Sequence, residues 1–161
     1  MKPRSREGVS RALSRSFRGL SAAMLIVGVT ASLVAVDKDK VIEITFSDVN
    51  MNMMADMVFR DFLLTDRVRQ LEGKRVRVSG VMFSEGDSLK TDEFYLLKNK
   101  ECKFGRGGQA DHLFTVKIKD NKKVKVRVEM MTVEGTFHLN PVMGADGNTW
   151  SVFDLLDAVA K

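Results

Sequence analysis

Apolar and polar residues alternate along most of the chain after residue 40, a pattern typical of half-buried β-strands. Turn residues such as Asp120-Asn121 and Asp146-Gly147 separate the alternating segments. The pattern predicts five or six strands, and 112–118 and 124–131 are expected to pair as a hairpin. The segments are 41–47, 74–83, 93–99, 112–118, 124–131 and 132–139, followed by 150–161 as a strand with a short helical end.

One segment has helical spacing instead. Between residues 55 and 73 apolar side chains recur every three or four positions, and Gly73 stands where a helix C-cap belongs. The spacing predicts a single helix covering the sheet. Met51, Met53, Met54 and Met57 make its entry rich in methionine, as flexible core-filling side chains, with a copper-binding methionine cluster as the alternative.

Glycines interrupt two of the predicted strands. At Gly80 the apolar side of the strand switches, which indicates a bulge or a sharp bend. Bent strands let a small sheet curl and close on itself. We therefore expect residues 41–157 to form one mainly β (α+β) domain, a small OB-like β-barrel of five or six strands with one covering helix. A two-layer α+β sandwich is the alternative.

Charge divides the chain in two. Residues 1–36 carry six basic side chains and one acidic one, which accounts for the whole formal net charge of +5. The remainder is electrically balanced and has no general field for phosphate backbones, so no nucleic-acid partner is expected. Apart from Phe114, the basic hairpin also lacks aromatic side chains for base stacking. A single-stranded nucleic-acid-binding OB domain remains the second alternative.

The basic residues of the leader come before residues 19–36, an uncharged stretch of 18 residues. This order is typical of a signal peptide, or of an uncleaved membrane anchor whose N-terminus stays in the cytoplasm. We therefore expect a hydrophobic N-terminal helix, membrane contact through it, and a body that is secreted or held on the periplasmic side of the inner membrane.

The most chemically distinctive segment is the loop 98–112. It contains Cys102, the single cysteine, which therefore has no partner for an internal disulfide. Zinc or copper binding would use Cys102 and His112, with a third ligand from Glu101, Asp111 or His138. A thiol nucleophile or redox centre would use the same pair. The simpler interpretation is a strand connection whose glycines allow tight turns.

The run from LEGKRVRVSGVMF through EFYLLKNKECKFGRGGQADHLFTVKI to VRVEMMTVEGTFHL resembles a family of exported bacterial proteins known only as a domain of unknown function. The resemblance covers about residues 41–157. It implies export and a β-barrel-like domain, and it implies no reaction. Cys102 is followed here by Lys103 and Phe104, without the histidine and prolines of another branch, so the resemblance does not carry metal chemistry over.

Together these features favour a non-catalytic binding module of the cell envelope, exported or membrane-tethered, with an unidentified protein or ligand as its partner and no cofactor. A metal-binding or thiol-redox protein centred on Cys102 and His112 is the alternative. The expected binding surface joins the loop to the basic hairpin and comprises Lys100, Cys102, Lys103, Arg106, Lys117, Lys119, Lys125 and Arg127.

Overall fold

The computed structural model describes residues 40–161, and the leader predicted for residues 1–36 lies outside them. The described part is mainly β with one α-helix, as the sequence predicts. The strands are β1 (Ile42–Glu43), β2 (Arg75–Phe83), β3 (Lys90–Thr91), β4 (Glu93–Leu97), β5 (Leu113–Ile118), β6 (Val124–Lys125), β7 (Met130–Met143) and β8 (Thr149–Ala160), and the helix is α1 (Asp66–Leu71). Within residues 40–161 no helix is long and apolar enough to cross a membrane.

Five strands close into a ring in the order β2-β4-β5-β8-β7, because β7 pairs back onto β2. The β5–β8 pair is parallel, and the other four pairs are antiparallel. Strand β1 adds to β2 in parallel, while β3 and β6 form a separate two-stranded sheet.

The bend predicted at Gly80 is where β2 changes neighbours. The strand pairs with β7 from Arg75 to Val81 and with β4 from Val81 to Phe83. A Cβ at Gly80 would lie only 2.6 Å from the carbonyl oxygen of Leu97. A glycine is therefore needed here for the backbones of β2 and β4 to approach closely enough to close the ring.

The core inside the ring is built around aromatic rings. Phe114 lies 5.3 Å from Phe46, 5.4 Å from Phe153 and 6.1 Å from Phe137, measured between ring centroids. These separations are in the range of favourable aromatic pairs. Because the rings come from β5, β7, β8 and the segment before β2, they join distant parts of the sequence.

The predicted helix over 55–73 is wrong in its first half. Only residues 66–71 are α-helical, with Thr65 as N-cap accepting a hydrogen bond from the Val68 amide at 3.3 Å. The backbone before it bonds to the sheet: the Phe59 amide donates to Thr149 Oγ1 and the Thr149 amide donates to the Met57 carbonyl. These tertiary hydrogen bonds override the helical spacing.

Two further strand predictions are corrected. Residues 124–131 do not pair with β5; β6 pairs with β3, and β7 begins only at Met130. The turn after β5 has positive φ angles at Asp120 (59°) and Asn121 (52°), and the chain continues from it toward β3 instead of returning along β5. The expected helical end is also absent from residues 150–161, because β8 remains extended to Ala160, paired along β7.

A carboxylate on β7 joins β2 to the C-terminal residue. Glu134 accepts hydrogen bonds from Lys161, Arg77 and Arg75, at 3.0, 3.0 and 3.3 Å. The bond from Lys161, followed by those from the two arginines, lowers the pKa of Glu134 to about 2. Since the folded-state pKa lies below the usual 4.5, this stabilisation is complete above pH 4.5 and is lost as the pH falls toward 2.

We expect Glu134→Gln to lower the free energy of unfolding at neutral pH by about 1–2 kcal/mol, because the partners are partly exposed and screened. The variant should also lose part of the acid dependence between pH 4.5 and about 2. Urea unfolding of the two proteins across that window measures both effects. Parallel pH profiles would show that the ion-pair network contributes nothing to acid sensitivity.

Candidate functional site

The loop 98–112 is held down on the sheet by aromatic packing. Phe104 stacks on Tyr95 of β4 with ring centroids 3.8 Å apart, and its edge meets Trp150 of β8 at 5.5 Å. The Trp150 ring also packs against Gly105, where an added Cβ would lie 3.7 Å from it. The row continues to Phe83 on β2, 6.3 Å from Tyr95. The loop therefore covers part of the sheet face opposite the core.

Carboxylates lie near this aromatic row. Burial, then the charges of Glu85 and Glu93, raise the pKa of Tyr95 above its ordinary value. Of the four rings only Phe83 is strongly exposed, at 41%. The aromatic row therefore packs the loop against the sheet, has acidic neighbours, and offers little free ring surface on which a ligand could stack.

Asp111 fixes the other side of the loop. Its side chain is fully buried, and Oδ2 accepts hydrogen bonds from the Met51 amide at 2.9 Å and the Met53 amide at 3.3 Å. Met51 and Met53 are buried in the core, as core filling predicts, but the prediction is wrong for Met54, which is 69% exposed. Asp111 therefore ties the segment before α1 to the start of β5.

The structure brings Cys102 and His112 together, although they are ten residues apart in the chain. Cys102 Sγ lies 3.8 Å from His112 Nδ1 and 3.1 Å from Asn99 Oδ1. On the far side of the ring, Lys98 Nζ lies 3.3 Å from His112 Nε2. Cys102, His112 and Asn99 border a pocket of about 290 Å³ that is also lined by Glu101, Lys103 and Gln109.

The neighbours of His112 determine its chemistry. Burial and then the Lys98 charge lower the pKa of His112, so the ring is neutral at pH 7. The Lys98 ammonium is only a donor, so it selects the tautomer in which Nε2 accepts and Nδ1 carries the proton. That proton points toward Cys102 Sγ. In this tautomer Nδ1 can neither remove a proton from the thiol nor bind a metal.

Of the three candidate third ligands, Glu101 lines the pocket, whereas the other two are engaged elsewhere. His138 Nδ1 bonds to Glu72, and Asp111 holds the amides of Met51 and Met53. Across residues 40–161, no three histidine, cysteine, aspartate or glutamate side chains are grouped to hold a metal ion.

The eight residues of the expected binding surface fall into two groups. The loop group (Lys100, Cys102, Lys103 and Arg106) lies before the start of β5, whereas Lys117 is near the end of β5 and Lys119 just beyond it. Since β5 has six residues, Lys100 of the loop group and Lys119 of the other group are separated by roughly 17 Å along the strand. They do not form one compact site.

The last two of the eight residues, Lys125 and Arg127, belong to a feature that the sequence did not reveal. Strands β3 and β6 form a short ribbon, in which Lys90 is directly opposite Lys125. We call Lys90, Lys125 and Arg127 the basic ribbon; all three are exposed. The composition of residues 84–92 predicts a polar loop. The only local sign of a strand there is that Leu89 and Lys90 repeat the apolar–polar order of Val124 and Lys125.

The basic ribbon borders a groove, and its three cations form no ion pairs within residues 40–161. The groove is open, about 530 Å³ in volume, and lined by residues 125–129. Its lining combines the cations Lys125 and Arg127 with Val126, Val128 and one carboxylate residue, Glu129. The ribbon can therefore accept an anionic group beside an apolar one.

No family model matches the chain, and no curated protein matches it. Among solved structures it is similar to the crystal structure of a DUF3299 family protein from Pseudomonas aeruginosa PAO1, at 15% identity and a TM-score of 0.47. The match covers 74% of this chain and 95% of that chain. That neighbour belongs to a family of unknown function. The family that the sequence resembles is likewise known only as a domain of unknown function. A likeness at this level carries no argument about activity.

Proposed function

We propose that this chain is a non-catalytic binding module of the bacterial cell envelope, exported or membrane-tethered, and that its basic ribbon recognises an anionic partner. The binding surface expected from the sequence includes residues near both ends of β5. The proposal keeps only the residues near its C-terminal end. It is carried by a single observation, the direct pairing of Lys90 with Lys125.

Like charges directly opposite each other in an antiparallel pair are destabilising. Lys90 and Lys125 are such a pair, and neither takes part in an ion pair within residues 40–161. Arg127 adds a third exposed cation two residues along the chain. A bound anion would relieve this repulsion. A ribbon with a purely structural role would be more stable with a carboxylate in place of Lys90 or Lys125.

We also propose that the ring is an OB-like barrel. Support comes from the closed strand order β2-β4-β5-β8-β7 with its parallel β5–β8 pair. In such barrels, the loops between strands around one face hold the ligand. Lys90 lies in one such loop, between β2 and β4, and Lys125 and Arg127 lie in the connection between β5 and β7.

The alternative centred on Cys102 has weaker support, although the two side chains are close. Removal of the Cys102 proton by His112, or a metal held between Cys102 Sγ and His112 Nδ1, needs an unprotonated Nδ1, and the ammonium of Lys98 beside Nε2 favours the opposite tautomer. This conflict weakens the case for bond chemistry at Cys102 and favours a recognition function at the basic ribbon.

The substitution Lys125→Glu tests the proposal, because it has opposite effects on binding and on stability. It places a carboxylate across from Lys90, which should raise the free energy of unfolding by about 0.2–1 kcal/mol. It should also weaken binding of inorganic polyphosphate by roughly tenfold or more, since one cation is replaced by a repelling charge. Equilibrium binding at low and high salt, together with urea unfolding, measures both.

Lys100→Glu is the matched control, because it changes net charge equally at the exposed loop end. We expect it to leave polyphosphate affinity within about twofold, since the two sites are separated by more than a Debye length. If instead Lys100→Glu weakens binding and Lys125→Glu does not, the ribbon is the wrong surface. If oligothymidylate binds much more tightly than polyphosphate, the nucleic-acid alternative gains support.

A further inference from the structure

Next to the basic ribbon, large apolar side chains of the segments around β3 and β6, and of the first residue of β7, have no cover within residues 40–161. Leu89 is 82% exposed, Val128 77% and Met130 67%. Leu89 lies opposite Val126, because its carbonyl accepts the Val126 amide at 3.0 Å, and Val126 and Val128 line the groove. The exposed apolar groups and the cations therefore share one end of the molecule.

We propose that the anionic partner is the surface of an anionic phospholipid bilayer, with Leu89 and Val128 entering the interfacial layer while Lys90, Lys125 and Arg127 pair with headgroup phosphates. This inference rests on the proposed function, since it names the partner of the same ribbon.

Charge complementarity and apolar exposure together select this occupant. Lysine and arginine side chains close to an anionic membrane each contribute about fivefold in affinity. A soluble anion would use these cations but would leave Leu89 and Val128 in water. Apolar side chains beside cations are the composition of interfacial membrane-binding segments.

An oligonucleotide fits this surface less well. Its bases need free aromatic faces beside the cations. The rings of Tyr95 and Phe104 stack on each other, and the carboxylates of Glu85 and Glu93 lie near Tyr95. Those charges would repel a phosphate backbone at the aromatic row.

The test uses the full chain and reads the ribbon directly by hydrogen–deuterium exchange at residues 87–91 and 124–129. We expect exchange there to slow by about tenfold on vesicles containing phosphatidylglycerol, and not on phosphatidylcholine vesicles. A local readout is needed because the predicted leader could itself hold the chain on any bilayer.

Three variants isolate the cause. Lys90→Gln/Lys125→Gln/Arg127→Gln and Leu89→Ser/Val128→Ser should each abolish the slowing. Met54→Ser/Phe62→Ser should keep it, since those two side chains are comparably exposed, at 69% and 80%, but lie outside the ribbon. None of the substitutions removes a buried group, so all three proteins should fold.

Several outcomes would overturn the inference: equal slowing on phosphatidylcholine, equal slowing with soluble inorganic phosphate, slowing that survives Leu89→Ser/Val128→Ser, or slowing with oligothymidylate and not with vesicles. If polyphosphate binding depends on Lys125 while vesicles have no effect, the bilayer is the wrong partner and the proposed function stands. If neither polyphosphate nor vesicles respond to the ribbon variants, both proposals fail.

Discussion

Replacing Phe114 with alanine is expected to lower the free energy of unfolding by about 3–5 kcal/mol. The side chain is fully buried, and its ring meets those of Phe46, Phe137 and Phe153 at centroid distances of 5.3, 6.1 and 5.4 Å. The substitution removes the apolar area and leaves a cavity between rings that come from four different parts of the chain. A domain of this size has only about 5–15 kcal/mol of stability in total, so the loss is severe.

Phe62→Ala is the matched control, because it deletes the same atoms from a ring that is 80% exposed. We expect it to change the free energy of unfolding by no more than about 0.5 kcal/mol. Urea unfolding followed by Trp150 fluorescence compares the two variants. If both substitutions had a similar small effect on the free energy of unfolding, Phe114 would not lie at the centre of the core enclosed by the five strands.

The strands could be predicted because their information is local. β2, β4 and β5 follow the alternation of the sequence closely, and Gly80 marks the bend. The helix was overpredicted because residues 51–59 form hydrogen bonds to partners as distant in sequence as Asp111 and Thr149. Periodicity in a single sequence contains no information about such partners.

The site was predicted in its residue types and not in its arrangement. Cys102 and His112 do meet, because the loop returns to β5 next to its own beginning, where the Lys98 amide bonds to the His112 carbonyl. The basic ribbon was missed because β6 selects β3 as its partner, and the preceding hairpin turn gives no sign of that choice. Partner choice between short strands is set by tertiary geometry, which alternation alone does not encode.

Asp111→Ala is expected to lower the free energy of unfolding by about 2–4 kcal/mol, since two buried backbone amides would lose their shared acceptor. Oδ2 receives the amides of Met51 and Met53 at 2.9 and 3.3 Å, inside the fully buried site. The loss is limited to this range because Oδ1 has no hydrogen-bond partner among residues 40–161, and removing this buried oxygen relieves an existing cost.

Asp111→Ala should also increase local opening of the segment that it anchors by more than it increases global unfolding. The two amides belong to the segment that places Met51 and Met53 in the core, so hydrogen exchange at residues 50–54 should accelerate in Asp111→Ala beyond the change in global stability. Asp87→Ala deletes an equivalent carboxylate from an exposed loop and should alter neither exchange nor unfolding measurably. If the exchange at residues 50–54 rises only in step with the rest of the domain, Asp111 stabilises the fold without specifically anchoring this segment, and the override of the helical pattern needs another cause.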